Sequence, residues 1–267
     1  MKIRTIATAA ALGLTLWSGL FAFQRGLRSF LEEEDNPAPF PSDGHEKAEF
    51  YFSRLRYPAM RNGYFGRAGG SWATDYPKAD RQFLQGVRRL TRVHVRSVEQ
   101  VVDLESDEIF NYPWIYVTEV GRWGLNDSQV KRLREYILRG GFMMTDDFHG
   151  TFEWDVFMAS MSRVFPDRPV VDMDTRDEVY HVLYSLDERL QVPGIQYLFT
   201  GNVDERDTTG GRWRGIYDDK GRLMVAITHN QDLGDAWEWA DHPQYPEKWA
   251  SMAYRMGINY IVYSMTH

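Results

Sequence analysis

The chain has 267 residues, room for one substantial domain plus extras but not for two large ones. Its net charge of -7 leaves no basic excess to neutralise phosphates, which excludes a nucleic-acid binder. The absence of cysteine excludes disulfides, thiolate nucleophiles and cysteine-held metals.

The N-terminus differs from the rest. Lys2 and Arg4 precede nineteen uncharged residues, Thr5 to Phe23. At ~1.5 Å per residue they reach about 28 Å, roughly one hydrocarbon thickness. A secretory signal would have a shorter apolar core and a small-x-small cleavage site, and Leu20-Phe21-Ala22 is a poor candidate for one. The segment therefore predicts an uncleaved transmembrane anchor over residues 1–34, with Trp17, Phe21 and Phe23 as its aromatic residues. The positive end predicts a cytoplasmic N-terminus and a body in the periplasm, anchored at the inner membrane. "EEED" at 32–35 reads as a solvated helix end, and residues 35–47, with three alternating prolines, as an extended linker.

From residue 48 strand-like and helix-like stretches alternate. Residues 48–57 read as a strand. Residues 75–91 read as a helix, with Ala79, Phe83, Leu84, Val87 and Leu90 on one face, Asp75 as its cap and Pro77 in its first turn. "RVHVR" (92–96) alternates like an edge strand, and 113–119 is a short buried strand. Residues 126–141 form a punctuated helix: Asn126 or Asp127 caps it, Val130, Leu133 and Ile137 make its stripe, and Gly140-Gly141 ends it. "FMMTDD" follows as a strand and 151–165 as another helix; Met143, Met144, Met158 and Met161 read as core filling. Short apolar runs at 169–174 and 181–186 lead to a hairpin turning through Asp218–Gly221, and 246–265 closes the chain as a long helix. This order predicts an α/β fold, a doubly wound, mainly parallel sheet with an antiparallel addition near the C-terminus.

Ligands of open parallel sheets bind beyond the carboxyl ends of the strands. Polar residues at those ends include Arg54 and Tyr57, then Glu119, then Asp146, Asp147 and His149, then His229 and Asn230. The glycine-rich stretch 57–77 adds Trp72 and Asp75. A carboxylate orienting His149 would serve hydrolysis, and Asp147, His149 and His229 would make an oxygen/nitrogen metal set. The alternative is structural: Asp146 or Asp147 caps the next helix and bonds loop amides while His149 packs and hydrogen-bonds. Neither spacing matches an established metal motif, and no cofactor is expected. Asp232 and Asp235 read as turn caps, and Trp237 and Trp239 as a partner surface.

The runs "FYFSRLRYP", "WATDYPKADRQF", "GGFMMTDDFHG" and "ITHNQDLGDAW", in that order, resemble the family called domain of unknown function 4159. The resemblance covers roughly residues 48–265. It implies a class I glutamine amidotransferase-like, flavodoxin-like architecture and no particular activity. Amidotransferases of that fold carry a cysteine on an elbow after a strand. Here "TDDFHG" stands in that position and offers carboxylates, so thioester chemistry is excluded.

Two functions remain open. The first is a non-catalytic, membrane-anchored periplasmic subunit that docks on subunits of an inner-membrane complex, respiratory or photosynthetic, with its helix in the lipid bilayer. The second is a periplasmic hydrolase or carbohydrate/ligand-binding protein using Asp146, Asp147 and His149.

Overall fold

A computed structural model describes residues 40–58 and 71–267. The expected anchor with Trp17, Phe21 and Phe23 lies outside them; among the described residues no helix is long and apolar enough to cross a membrane. The compact unit begins at Phe40. The tail of the proline-rich segment is a turn rather than an extended spacer: Gly44 N donates to Pro41 O, and Asp43 pairs with Arg88 at 2.9 Å.

Seven strands form one sheet: β1 (Ser53–Arg56), β2 (Gln100–Asp103), β3 (Trp114–Thr118), β4 (Phe142–Asp146), β5 (Val171–Asp172), β6 (Arg212–Tyr217) and β7 (Leu223–His229). Their order is β2-β1-β3-β4-β7-β6-β5. The first five in that order run parallel, and β6 and β5 add antiparallel pairs. The expected mixed α/β, mostly parallel sheet with its antiparallel addition is the observed one. "RVHVR" contributes only an isolated bridge between Val95 and Phe50; the edge strand is β2, four residues later.

Six helices are described: α1 (Lys78–Leu90), α2 (Asp127–Leu138), α3 (Gly150–Val164), α4 (Tyr197–Thr200), α5 (Leu233–Glu238) and α6 (Glu247–Thr266). The start of α2 is a capping box, with Asn126 Oδ1 accepting from Gln129 N and Gln129 Oε1 from Asn126 N. Its end uses Gly140 in the left-handed region. Leu90 is exposed, not on the buried face of α1 as its spacing suggests.

Strand alternation splits the core in two. Ile115 and Val117 of β3 and Met143 of β4 face a cluster with Leu133 and Ile137 of α2 and Phe157 and Met161 of α3. The other face is aromatic: Phe52, Trp114 and Tyr116 meet Phe83 of α1 and Trp237 of α5, whose rings stack at 4.2 Å. Such rings bury large apolar areas and lock each other's orientation. Six of the eight described tryptophans are buried, Trp237 and Trp239 among them, so neither offers a partner surface. Met143, Met144 and Met161 are core residues as expected, and Met158 is partly buried against that core.

Candidate functional site

The carboxyl ends of β1, β3, β4 and β7 converge with the segment before α1 and the loop after α4. Alternation along β4 sends Asp146 to the aromatic face, where it is fully engaged. Its Oδ2 accepts from Tyr116 OH (3.0 Å), Leu233 N (2.8 Å) and Gly234 N (2.9 Å), and its Oδ1 from Thr228 Oγ1 (2.6 Å). It anchors the start of α5 rather than capping α3. Burial raises its pKa to about 7 against these donors.

Asp147 turns the other way. The chain must leave β4 and enter α3 within a few residues, and Asp147 makes the corner in the left-handed region (φ 51°). Its amide donates to Gln231 O, and Asn230 N donates to Phe148 O, which ties the ends of β4 and β7 together. The side chain enters a cavity of about 210 Å³ lined by Asp75, Glu119, Asp147, His149, Asp232 and Asp235, with Arg122, Glu153, Glu205 and Arg206 at its walls. Seven carboxyl groups thus face two guanidiniums and one imidazole.

Asp75 does not cap α1. It too is left-handed (φ 61°), and its side chain faces the cavity while its carbonyl accepts from Ala79 N. Glu119, which follows β3, is also left-handed (φ 54°) and pairs with Arg122 at 2.7 Å. Burial first and the nearby Asp147 second outweigh that arginine and raise the Glu119 pKa to about 9. Burial likewise pushes Asp75 and Asp232 well above the ordinary carboxyl range, with neighbouring carboxylates adding to the effect.

His149 Nε2 lies 3.2 Å from Asp147 Oδ1 and 3.7 Å from Glu205 Oε1. Since carboxylates only accept, Nε2 carries the proton; Nδ1 is buried without a partner. Burial acts to lower the His149 pKa, but the hydrogen bond and charge of Asp147, with Glu205, hold it above its ordinary value.

The remaining expected residues act on the frame. Arg54 is fully buried; Nε donates to both Asp80 oxygens (2.8 and 3.1 Å) and Nη1 to the carbonyls of Trp72 and Thr74 (2.9 Å each), which fixes the segment delivering Asp75. Tyr57 OH donates between Thr118 O and Glu119 O, clamping the turn of Glu119. Asn230, left-handed as well, accepts from Gly150 N and Thr208 Oγ1 and donates to Gly210 O. His229 donates from Nε2 to Gly150 O and packs on Phe148 and Trp154; burial lowers its pKa to about 4. It does not line the acidic cavity, so Asp147, His149 and His229 are not brought together as one set. Trp72 lines a different cavity, of about 670 Å³, with Arg56, Tyr57 and Pro58.

Sequence reasoning missed Arg122, Glu153, Glu205, Gln196 and Arg206 as cavity residues. Glu205 and Arg206 sit in an irregular loop with no periodicity to place it. The structure folds that loop over α3, where Asp207 Oδ1 accepts from Thr151 N and Arg206 lies 3.5 Å from Glu153. The acid density of "QDLGD" after a strand was the one available signal for Asp232 and Asp235 as cavity residues.

The fold and the site define a mixed α/β domain whose parallel strands end on an acidic cavity. The chain belongs to the family described as a domain of unknown function, DUF4159, whose model matches residues 52–265. No curated protein matches it.

Proposed function

We propose that the strand-end cavity is the binding site for a small polyhydroxyl ligand of the carbohydrate class, held by Asp147 and His149. One observation carries this reading. Of the five non-glycine residues with left-handed φ among the described residues, four (Asp75, Glu119, Asp147 and Arg206) line this single cavity. Each such conformation costs up to ~1–3 kcal/mol, less for Asp and Asn, and strain of this kind concentrates at ligand clamps and active sites.

The lining selects the ligand. Its walls are carboxyl, guanidinium, amide and imidazole side chains with one threonine and one isoleucine, and the seven carboxyl groups favour a ligand that offers many hydrogen-bond donors. The acidic excess repels anions. Hydroxyls donate well to carboxylates, and an adjoining cavity of about 380 Å³ shares His149, Glu153 and Arg206. Hydrolysis is the second reading. The proton-bearing contact of His149 with Asp147, beside a Glu119 carboxyl that stays protonated at neutral pH, supplies an acid–base set.

The strand order β2-β1-β3-β4-β7 and the elbow at Asp147 support the flavodoxin-like, amidotransferase-like grouping. The docking-subunit reading loses Trp237 and Trp239 as its partner surface, and its membrane anchor falls in residues outside the described ones.

Thermal unfolding of the full-length protein with glucose, N-acetylglucosamine, mannose and cellobiose, and with glucose 6-phosphate as the anionic counterpart, tests the proposal. A bound ligand at ~100 times its Kd adds about 2.7 kcal/mol, a clear rise in Tm. At least one neutral sugar should give it, glucose 6-phosphate should not, and Asp147→Asn and His149→Ala should abolish it. No shift with any neutral sugar, or equal shifts in the variants, contradicts the reading. Release of nitrophenol from p-nitrophenyl glycosides by the wild type but not by these variants would establish the hydrolytic form.

A further inference from the structure

We infer that the same cavity holds a divalent cation, of the calcium class, between Asp75, Asp147 and Asp232. This deepens the ligand-site reading and rests on it. One carboxylate oxygen from each residue lies within 4.8 Å of the others. Calcium binds oxygens at ~2.3–2.6 Å, so oxygens on opposite sides of one ion stand roughly 4.6–5.2 Å apart. One ion can be approached by all three oxygens, and the flexible coordination of calcium accommodates such a set more readily than the strict octahedral geometry of magnesium.

Acidic residues often cluster without an ion; two further observations point to one here. Asp75 is 8 % exposed, and its Oδ2 is buried with no hydrogen-bond partner. His149, on the same cavity wall, buries Nδ1 without a partner. Among the described residues no lysine or arginine pairs with Asp75, Asp147 or Asp232. Three carboxylates facing one another, with only His149 beside Asp147 and the more distant Arg54 acting on Asp75, are costly unless protonated or joined by a cation.

Asp147 Oδ1 faces His149, and Asp232 Oδ1 accepts from Asp235 N, so each turns one oxygen to the protein. Two glycines keep the space open: a Cβ at Gly234 would stand 2.8 Å from Asp75 Oδ2, and one at Gly194 2.6 Å from Asp232 Oδ2. The neighbouring set Asp75, Asp235 and Glu238 is equally close, but both Asp235 oxygens are engaged, by Ile195 N and Trp239 Nε1. Three carboxylates fill only part of the six to eight oxygens calcium takes, and water or the hydroxyls of a polyol would supply the rest.

The test is calorimetric titration of the EDTA-stripped full-length protein with calcium, magnesium and manganese chlorides, beside thermal unfolding. Calcium should bind at one site and raise Tm. Asp75→Asn and Asp232→Asn should weaken binding about tenfold or more. In EDTA the same variants should be at least as stable as wild type, because each removes one repelling carboxylate, which separates a lost site from a lost fold. Asp241→Asn, exposed and outside the cavity, should bind as wild type does. Absence of binding by all three ions, or undiminished calcium affinity in Asp75→Asn, overturns the inference. A neutral sugar that still binds in EDTA with no ion bound leaves the ligand site standing without the cation; calcium binding with no response to any sugar does the reverse.

Discussion

At Asp146 four donors from β3, β7 and α5 meet on one carboxylate, and that group is the junction of three elements. Asp146→Ala leaves those donors without their acceptor in a dry interior. The expected loss is about 3 kcal/mol or more in urea unfolding, since hydrogen bonds to charged groups contribute ~1.5–3 kcal/mol each and orphaned donors add to the cost. His229 gives a prediction in pH. Unfolded, its ring takes up a proton near 6.5; folded, it resists until about 4. The unfolded state therefore binds more protons between those values, and stability falls as pH drops through that window, by about 3 kcal/mol at its lower end. His229→Gln does not titrate, so its stability should approach that of wild type by about this amount between pH 7 and pH 4. Parallel curves would contradict the assignment. The sequence placed Asp146, Asp147, His149 and His229 at strand ends but not their separate roles. Those depend on which face each side chain takes after a strand ends, where the alternation that orients residues inside the strand no longer applies.

The elements were most legible where local chemistry acts alone. The box of Asn126 and Gln129, the glycine pair after α2 and the turn at Asp218–Gly221 each satisfy backbone groups within a few residues. Asn126→Ala should therefore cost about 1 kcal/mol, measured by urea unfolding. Illegible elements are those set by distant partners. The start of α1 illustrates this: Asp75 and Pro77 read as its cap, yet Arg54 on β1 grips the carbonyls of Trp72 and Thr74 and the Asp80 carboxylate, and the helix opens at Lys78 with Asp75 turned to the cavity. Asp80→Asn strips the counter-charge from a buried guanidinium. Breaking such a pair costs about 3–5 kcal/mol, and urea unfolding should show it. A change below about 1 kcal/mol would mean that the pair does not hold β1 to α1.

Across the whole molecule, strand order carries the acidic cavity. Because β1, β3, β4 and β7 run parallel, their carboxyl ends bring residues more than 150 positions apart, Asp75 and Asp232, onto one ion-sized space. Strand and helix alternation made that end of the sheet predictable as the place for a ligand; the loop carrying Glu205 and Arg206 was not, because its packing over α3 depends on tertiary contacts. The most direct test of the cavity as a polyol site is ligand-observed saturation-transfer NMR on the full-length protein, with a mixture of neutral mono- and disaccharides and glucose 6-phosphate. Saturation should reach at least one neutral sugar in the wild type, vanish in Asp147→Asn, and never reach glucose 6-phosphate. Equal transfer in wild type and Asp147→Asn, or none to any neutral sugar, would contradict it.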